Sequence, residues 1–298
     1  MIASAIRGSH LMANPQEAWT IRKLLEWTEN YFKTKIQGNA RLETQILLSH
    51  VLNCKRIELY TRSDEMPSEE QRAKFKELIK KRVEGTPVAY LVGFREFYSL
   101  GFEVSSAVLI PRPETEFLIV EASKLLKVKP DARVLDLGTG SGNIAISLTH
   151  QHKSIRTVSI DISPEALEIA KRNSIKHGVT DRITFLEGNL YSPLSPEDQF
   201  DLIVSNPPYV TQAEWESLAP DVKNFEPRLA LIGGVDGLDF YRLIITGAKK
   251  FLQPGGSLLL EIGSTQESSV KEILVGNGFD EIRMVEDGAK LPRILVAN

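Results

Sequence analysis

The sequence predicts a two-part α/β protein. A doubly wound, mostly parallel sheet with helices on both faces follows a small N-terminal helical bundle, and a β-hairpin joins them. Three observations predict this. From Glu114 onward, short apolar strands alternate with helical stretches. Before Thr86 the apolar residues recur only at spacings of three and four. Between the two lies "TPVAYLVGFREFYSLGFEVSSAVLIPRPET", rich in β-branched and aromatic residues and punctuated by Gly93, Gly101 and Pro111. The expected boundaries are residues 16–85 for the bundle, a substrate-recognition domain, 86–110 for the hairpin linker and 111–298 for the sheet domain. Residues 1–15 form a tail whose "RGSHLM" resembles an expression-vector remnant, with a short native arm as the alternative.

In the bundle, Ile21, Leu24, Leu25, Thr28, Tyr31 and Phe32 make one helical stripe. Leu42, Ile46, Leu47, Val51 and Leu52 make a second. A third helix opens at Ser68 with Gln71 three residues on, a capping-box pattern directly after Pro67. Its stripe is Phe75, Leu78, Ile79 and Val83, and Gly85 supplies the stop. In the sheet domain seven strand candidates follow in order: "RVLDL", "RTVSI", "RITFLEG", "FDLIVS", "GSLLLEIG", and stretches around "FDEIRMVE" and "RILVA".

At 298 residues the chain can bury one large core and one smaller one. A net charge of −3 argues against a protein that binds nucleic acid by its overall field, so no direct nucleic-acid partner is expected. The charge is uneven: residues 17–84 carry 14 Lys+Arg against 11 Asp+Glu. Either this is a solvated helical surface or the first segment docks a macromolecule that the acidic remainder modifies. A single cysteine, Cys54, excludes an intramolecular disulfide and fits a reducing compartment. No apolar run reaches the length of a membrane span, and no convincing signal peptide is seen, so a cytoplasmic location without a membrane partner is expected. The five histidines, at 10, 50, 150, 152 and 177, form no cluster with cysteines or carboxylates, and no metal is expected.

Two stretches carry chemistry. In "VLDLGTGSGNIAISL", glycines at 138, 140 and 142 sit between a strand and a helix, where glycine lets the backbone turn tightly and approach a ligand. A dinucleotide fingerprint would place its last glycine at Asn143, and a phosphate-binding P-loop would need Gly-Lys-Ser/Thr; neither is present. The next strand ends at Asp161, where a carboxylate can accept both hydroxyls of a ribose. Ser163 caps the helix that follows and Pro164 takes its first position. A plain strand–helix turn is the simpler account of a lone glycine loop, but the acid at the next strand end favours a nucleoside-type cofactor.

The second stretch is Asn206-Pro207-Pro208-Tyr209, which ends "FDLIV". Two prolines deny the sheet two N–H donors, and the residue before a proline is held extended, which fixes Asn206. The Asn206 side-chain oxygen and the Pro207 carbonyl can each accept one hydrogen of a substrate –NH₂, and Tyr209 offers a flat face for a planar amide or base. The alternative is a rigid turn.

"DLGTGSG" with Asp161 resembles the class I S-adenosylmethionine-dependent methyltransferases. The resemblance implies a Rossmann-like sheet of seven strands, the last antiparallel. It implies that Gly138, Thr139, Gly140, Ser141 and Gly142 pack against the methionine part of the cofactor, with Asp161 on the ribose. Asn189 and Leu190 of "EGNLY" would lie near the adenine, with Asn189 where relatives commonly carry Asp. Asn-Pro-Pro-Tyr resembles the motif of enzymes that methylate planar –NH₂ nitrogens. It implies that Asn206, Pro207 and Tyr209 act in catalysis, that Asn206 to Tyr209 grip the substrate, and that Asn206 also faces the cofactor. "GTPVAYLVGFREFYSLGFEV", "VLIPRPETE", "FEPRLALIGGVDGLDFYRLI" and "LQPGGSLLLEIG" together are similar to the protein-(glutamine-N5) methyltransferases from about Trp19 onward. That likeness implies methylation of the glutamine in the Gly-Gly-Gln motif of class 1 peptide release factors. It also puts Pro111 to Thr115 beside the cofactor.

Arg112 is either an ion-pair partner or part of the site, Phe94 and Phe97 either line the substrate mouth or pack within the hairpin, and Glu261 is structural or catalytic. The rival functions are a glutamine methyltransferase acting on a ribosomal large-subunit protein, a DNA adenine-N6 methyltransferase, and a catalytically silent binding module.

Overall fold

A computed structural model describes residues 19–36 and 38–298; the expectation for residues 1–15 lies outside the described residues. The chain divides into two compact units between Val92 and Gly93.

The first unit is helical: α1 (Ile21–Lys35), α2 (Ala40–Leu52), α3 (Glu58–Thr61), α4 (Glu69–Val83) and α5 (Val88–Val92). Thr20 and Asn39 cap α1 and α2 with their side chains. Ser68 and Gln71 close the reciprocal capping box on α4. The core is built from Ile21, Leu24, Phe32, Leu47, Leu48, Phe75 and Ile79. On α2 the buried face is wider than the expected stripe. Thr44 and Leu48 are buried, while Leu42 and Ile46 are only half-buried, because this helix packs against α1, α4 and α5 at once.

The hairpin is shorter than its predicted span of 86–110. Val88–Val92 forms a helical turn in place of strand, with Tyr90 and Leu91 both donating to the Pro87 carbonyl. Val88, Leu91 and Val92 pack on the helical core, and that tertiary burial overrides the β propensity of the stretch.

The second unit opens with the hairpin β1 (Phe94–Phe97) and β2 (Leu100–Glu103). Phe97 and Phe102 are buried in this unit's core. Asn173 holds the end of β2 through its side chain, accepting from the Glu103 N–H at 2.7 Å and donating to its carbonyl at 3.0 Å. The remaining elements are α6 (Glu116–Leu126), β3 (Arg133–Leu137), α7 (Asn143–Gln151), β4 (Arg156–Asp161), α8 (Pro164–Lys176), β5 (Ile183–Glu187), β6 (Phe200–Ser205), α9 (Gln212–Ser217), α10 (Pro220–Phe225), α11 (Asp239–Phe251), β7 (Leu252–Glu261), α12 (Glu267–Gly276), β8 (Ile282–Glu286) and β9 (Pro292–Ala297).

Seven strands form one sheet in the order β5-β4-β3-β6-β7-β9-β8. Pairing is parallel from β5 across to β7, and β9 runs antiparallel to both its neighbours, so the last strand is the antiparallel one, as the resemblance implied. Alternate strand residues feed opposite faces. Val134, Leu202, Val204 and Leu259 meet α6 and α7, while Leu135, Leu137, Ile203 and Leu260 meet α11 and α12. Chain order reverses between β3 and β6, and a doubly wound sheet opens its ligand crevice at such a point.

Candidate active site

A cavity of about 720 Å³ lies over the carboxyl ends of β3, β4 and β6. The buried apolar run of β3 ends in Gly138, and the next residues cannot continue a strand. Gly138, Gly140 and Gly142 all have positive φ, at 73°, 54° and 79°. The first two face open space where a Cβ would stand, whereas a Cβ on Gly142 would come within 2.7 Å of Ile146 Cδ1. Accordingly Gly138, Thr139, Gly140 and Ser141 line the cavity and Gly142 does not. Gly142 is a glycine so that α7 can pack against Ala170 of α8.

Beneath the loop, Asp136 is fully buried and accepts the Thr139 hydroxyl at 2.6 Å. Burial pushes its carboxyl up to about 7, against the pull of that hydrogen bond. Asp136 therefore braces the turn from below and does not line the cavity.

Asp161 ends β4 and lines the cavity. Its Oδ2 accepts the Gly140 N–H at 2.8 Å and its Oδ1 the Ser163 N–H at 3.0 Å. Burial raises its pKa and these backbone donors oppose the rise. The glycine loop thus aims the very carboxylate that closes the site. Asn189 and Leu190 line the cavity from the loop after β5, with Leu190 at φ 50°. Ile162, Phe240 and Leu243 add apolar walls that no motif announced.

At the end of β6, Asn206, Pro207 and Pro208 line the same cavity. Asn206 Nδ2 donates to Thr115 Oγ1 at 3.2 Å. Tyr209 is not among the lining residues; its ring packs on the core of α11 and β7. Burial, together with the nearby Glu261 carboxyl, pushes its phenol up to about 12.

The corner is held from behind by residues with no obvious signature. Gln266 Nε2 donates to the Tyr209 carbonyl at 3.1 Å. A Cβ on Gly233 would fall 2.6 Å from the Pro208 carbonyl oxygen, and one on Gly237 would meet the Tyr209 carbonyl oxygen. Gly233 and Gly237 of "IGGVDG" are therefore the close-approach positions that let this segment wrap the corner.

Pro111, Arg112 and Thr115 also line the cavity. Arg112 is an ion-pair partner, meeting the buried Glu226 at 2.6 Å from its place on the cavity wall. Glu226 accepts the Ile110 N–H as well, tying the α9–α10 segment to the loop before α6. Neither Phe94 nor Phe97 lines the cavity: Phe97 is buried in the core, while Phe94 is exposed, with the Lys176 nitrogen 4.9 Å from its ring centre. Glu261 is buried at the end of β7 and is not among the residues lining the cavity.

A glycine-turned strand end, an anchored acid on the neighbouring strand and a rigid Asn-Pro-Pro corner share one cavity in this fold. The model described as "Methyltransferase small domain" matches residues 115–221. A solved methyltransferase from Pyrococcus furiosus superposes with TM-score 0.52, covering 73% of this chain and 95% of its own, at 16% identity, a likeness of fold. The protein is a methyltransferase.

The model described as "PrmC N-terminal domain" matches residues 23–93. The protein named release factor glutamine methyltransferase in Rhodopirellula baltica is 43% identical over 93% of this chain and 95% of its own. Its namesake in Geobacter sulfurreducens is 43% identical over 95% and 98%. The chain belongs to the release factor glutamine methyltransferase family.

Proposed function

We propose that this protein transfers a methyl group from S-adenosylmethionine to the side-chain amide nitrogen (N5) of the glutamine in the Gly-Gly-Gln motif of class 1 peptide release factors, in the cytoplasm. One observation carries the reading: the glycine loop, Asp161 and Asn206 open onto a single cavity. The names of the relatives support the choice of release factors as substrate.

Gly138 to Ser141 would accommodate the methionine part of the cofactor, because two of them leave open space on the cavity side. Asp161, already held by two N–H groups, would accept the ribose hydroxyls. Asn189 and Leu190 would flank the adenine. When bound, the cofactor supplies an electrophilic sulfonium methyl, which departs leaving its bonding pair on sulfur.

An amide nitrogen is a poor nucleophile because its lone pair is delocalised into the carbonyl. Asn206 Oδ1 and the Pro207 carbonyl would accept its two hydrogens, promote pyramidalisation and aim the lone pair at the methyl carbon. Once the N–C bond has formed the cationic nitrogen is strongly acidic and would give its proton to solvent water, so no strong general base is required. With its phenol held high, Tyr209 serves as a neutral wall behind the corner. The surplus of cations on the helical unit supports a role in docking the protein substrate.

The test is mass spectrometry of a purified class 1 release factor after incubation with the protein and S-adenosylmethionine. One added methyl on the glutamine of the Gly-Gly-Gln peptide is expected. Asn206→Ala should lower turnover by roughly 100-fold with little change in cofactor affinity, and Asp161→Ala should chiefly weaken cofactor binding. Methylation of a ribosomal protein or of DNA, with the release factor left unmodified, would overturn the reading.

A further inference from the structure

Capture of the substrate –NH₂ by the Asn206 side chain and the Pro207 carbonyl demands that the corner stay in place. Ring closure fixes φ at Pro207 and Pro208, and each proline holds the residue before it extended. Asn206 to Pro208 is therefore a stiff piece that can pivot only at its ends. One end continues β6, and the other is the peptide of Tyr209.

That far end has few ways to be fastened. Residues 207 and 208 lack an N–H, and the Pro207 carbonyl must stay open to the substrate. The Pro208 carbonyl faces Gly233, where a Cβ would stand 2.6 Å away. One residue on, Val210 donates to the Leu231 carbonyl and accepts the Gly233 N–H, each at 2.9 Å, which secures the chain on one side. The Tyr209 carbonyl secures it on the other.

The partner of that carbonyl is the Gln266 side chain, from the residue before α12. Its Nε2 donates to the Tyr209 carbonyl at 3.1 Å and to the Gly237 carbonyl at 3.3 Å. Its Oε1 accepts the Gly263 N–H at 3.0 Å and lies 3.4 Å from the Tyr241 hydroxyl. Chemistry alone settles which way this amide points, because backbone carbonyls only accept and a backbone N–H only donates. The space around it is reserved by glycine. A Cβ on Gly263 would come within 2.7 Å of Oε1, and one on Gly237 within 2.7 Å of Nε2. The strands behind the two loops, β6 and β7, are neighbours in the sheet with Ser205 opposite Leu260. Gln266 thus ties the loop after one strand to the corner after the other.

We propose that Gln266 is a positioning residue for methyl transfer: its amide staples the Tyr209 carbonyl to the loop after β7 and so fixes where the Asn206 oxygen and the Pro207 carbonyl meet the substrate nitrogen. The inference rests on the functional reading of the corner given above. Gln266 is not among the residues lining the cavity, and it acts through the corner.

The experiment measures kcat and KM with a purified class 1 release factor, and the affinity and stoichiometry of S-adenosylmethionine by titration calorimetry. The proteins are the parent, Gln266→Met, Gln266→Glu, Asn206→Ala and the Gln266→Met/Asn206→Ala double variant. Turnover is expressed per bound cofactor, so that any unfolded fraction drops out. Gln266→Met keeps the length of the side chain and loses both polar ends. It should lower kcat roughly 10- to 100-fold with cofactor affinity kept within about twofold, because the glycine loop and Asp161 are untouched. Gln266→Glu keeps the shape but turns an oxygen toward two carbonyls, and its loss should be at least as large. A side chain that merely fills space would tolerate that exchange. In the Asn206→Ala background Gln266→Met should cost clearly less than in the parent, since part of what it positions is gone.

If Asn206→Ala collapses turnover while either Gln266 variant turns over like the parent, the staple is overturned and the site stands. An undiminished cost in the double variant overturns it too. So does a loss of cofactor binding that matches the loss of kcat, because Gln266 would then support the fold at large. If Asn206→Ala leaves turnover intact, the site itself is overturned and the staple with it.

Discussion

Three glycines of one loop have two physical jobs. Gly138 and Gly140 keep space open on the cavity side, and Gly142 keeps two helices close. Alanine substitutions should separate them. At Gly140, φ 54° with open space around the new Cβ predicts a stability loss of about 1 kcal/mol from backbone strain alone, together with clearly weaker S-adenosylmethionine binding. At Gly142, strain at φ 79° adds to contacts of 2.7 Å with Ile146 and 3.2 Å with Ala170, so the loss should reach roughly 2–4 kcal/mol. Denaturant melts alongside cofactor titrations on both variants would check this. A Gly142 variant as stable as the Gly140 variant would contradict the packing role. Asp161 illustrates the same economy of parts, since the N–H that fixes its carboxylate comes from Gly140.

Elements are tied together by ion pairs whose worth depends on burial. Arg112 joins the turn before α6 to the segment carrying α9 and α10, and its partner Glu226 has only 2% of its side chain exposed. Arg172 of α8 pairs with Glu103 of β2 at the same 2.6 Å, but both side chains are about half exposed. Removing Arg112 strands a buried carboxylate that keeps only the Ile110 N–H, so Arg112→Ala should destabilise by about 3 kcal/mol. Arg172→Ala should stay near 0–1 kcal/mol, since water replaces the lost partner. Chemical denaturation of the two variants side by side decides the matter. Equal losses would mean that the α9–α10 tie is no more than a surface contact.

At the scale of the whole molecule, the fully buried carboxyls of Asp136 and Glu261 are pushed up to about 7 among the described residues. A carboxyl raised on folding binds its proton more tightly in the native state than in the unfolded chain. Each therefore opposes folding increasingly as pH rises from about 4 to about 7, with the full penalty present above that window and none below it. Exposed pairs act the other way: Glu103, lowered by its hydrogen bonds from Arg172, loses its contribution on acidification. The parent melting curve mixes both signs, and the difference between parent and Glu261→Gln isolates one. That variant should gain a few degrees in Tm at pH 8 relative to the parent, by roughly 1 kcal/mol or more, and the gain should vanish near pH 4. A gain that does not change with pH would show that Glu261 is not the titrating group.

The order of strands and helices, the glycine loop, Asp161 and the Asn-Pro-Pro corner were all legible in the linear sequence. Each follows from local chemistry: periodicity, backbone freedom at glycine, or proline's fixed φ. Local chemistry failed where burial decided. Val88–Val92 has strand-like composition and is helical because its apolar side packs on the bundle core. Tyr209 reads as a stacking face, and in the structure its half-buried ring packs against the core of α11 and β7. The tertiary structure alone brought Thr115 and Asn206 together from positions 91 residues apart along the chain. The sequence by itself determined which groups could hold a cofactor and an amide. Only the packing of distant elements decided which side chain meets the Asn206 amide, because hydrogen-bond partners are neighbours in space and not along the chain.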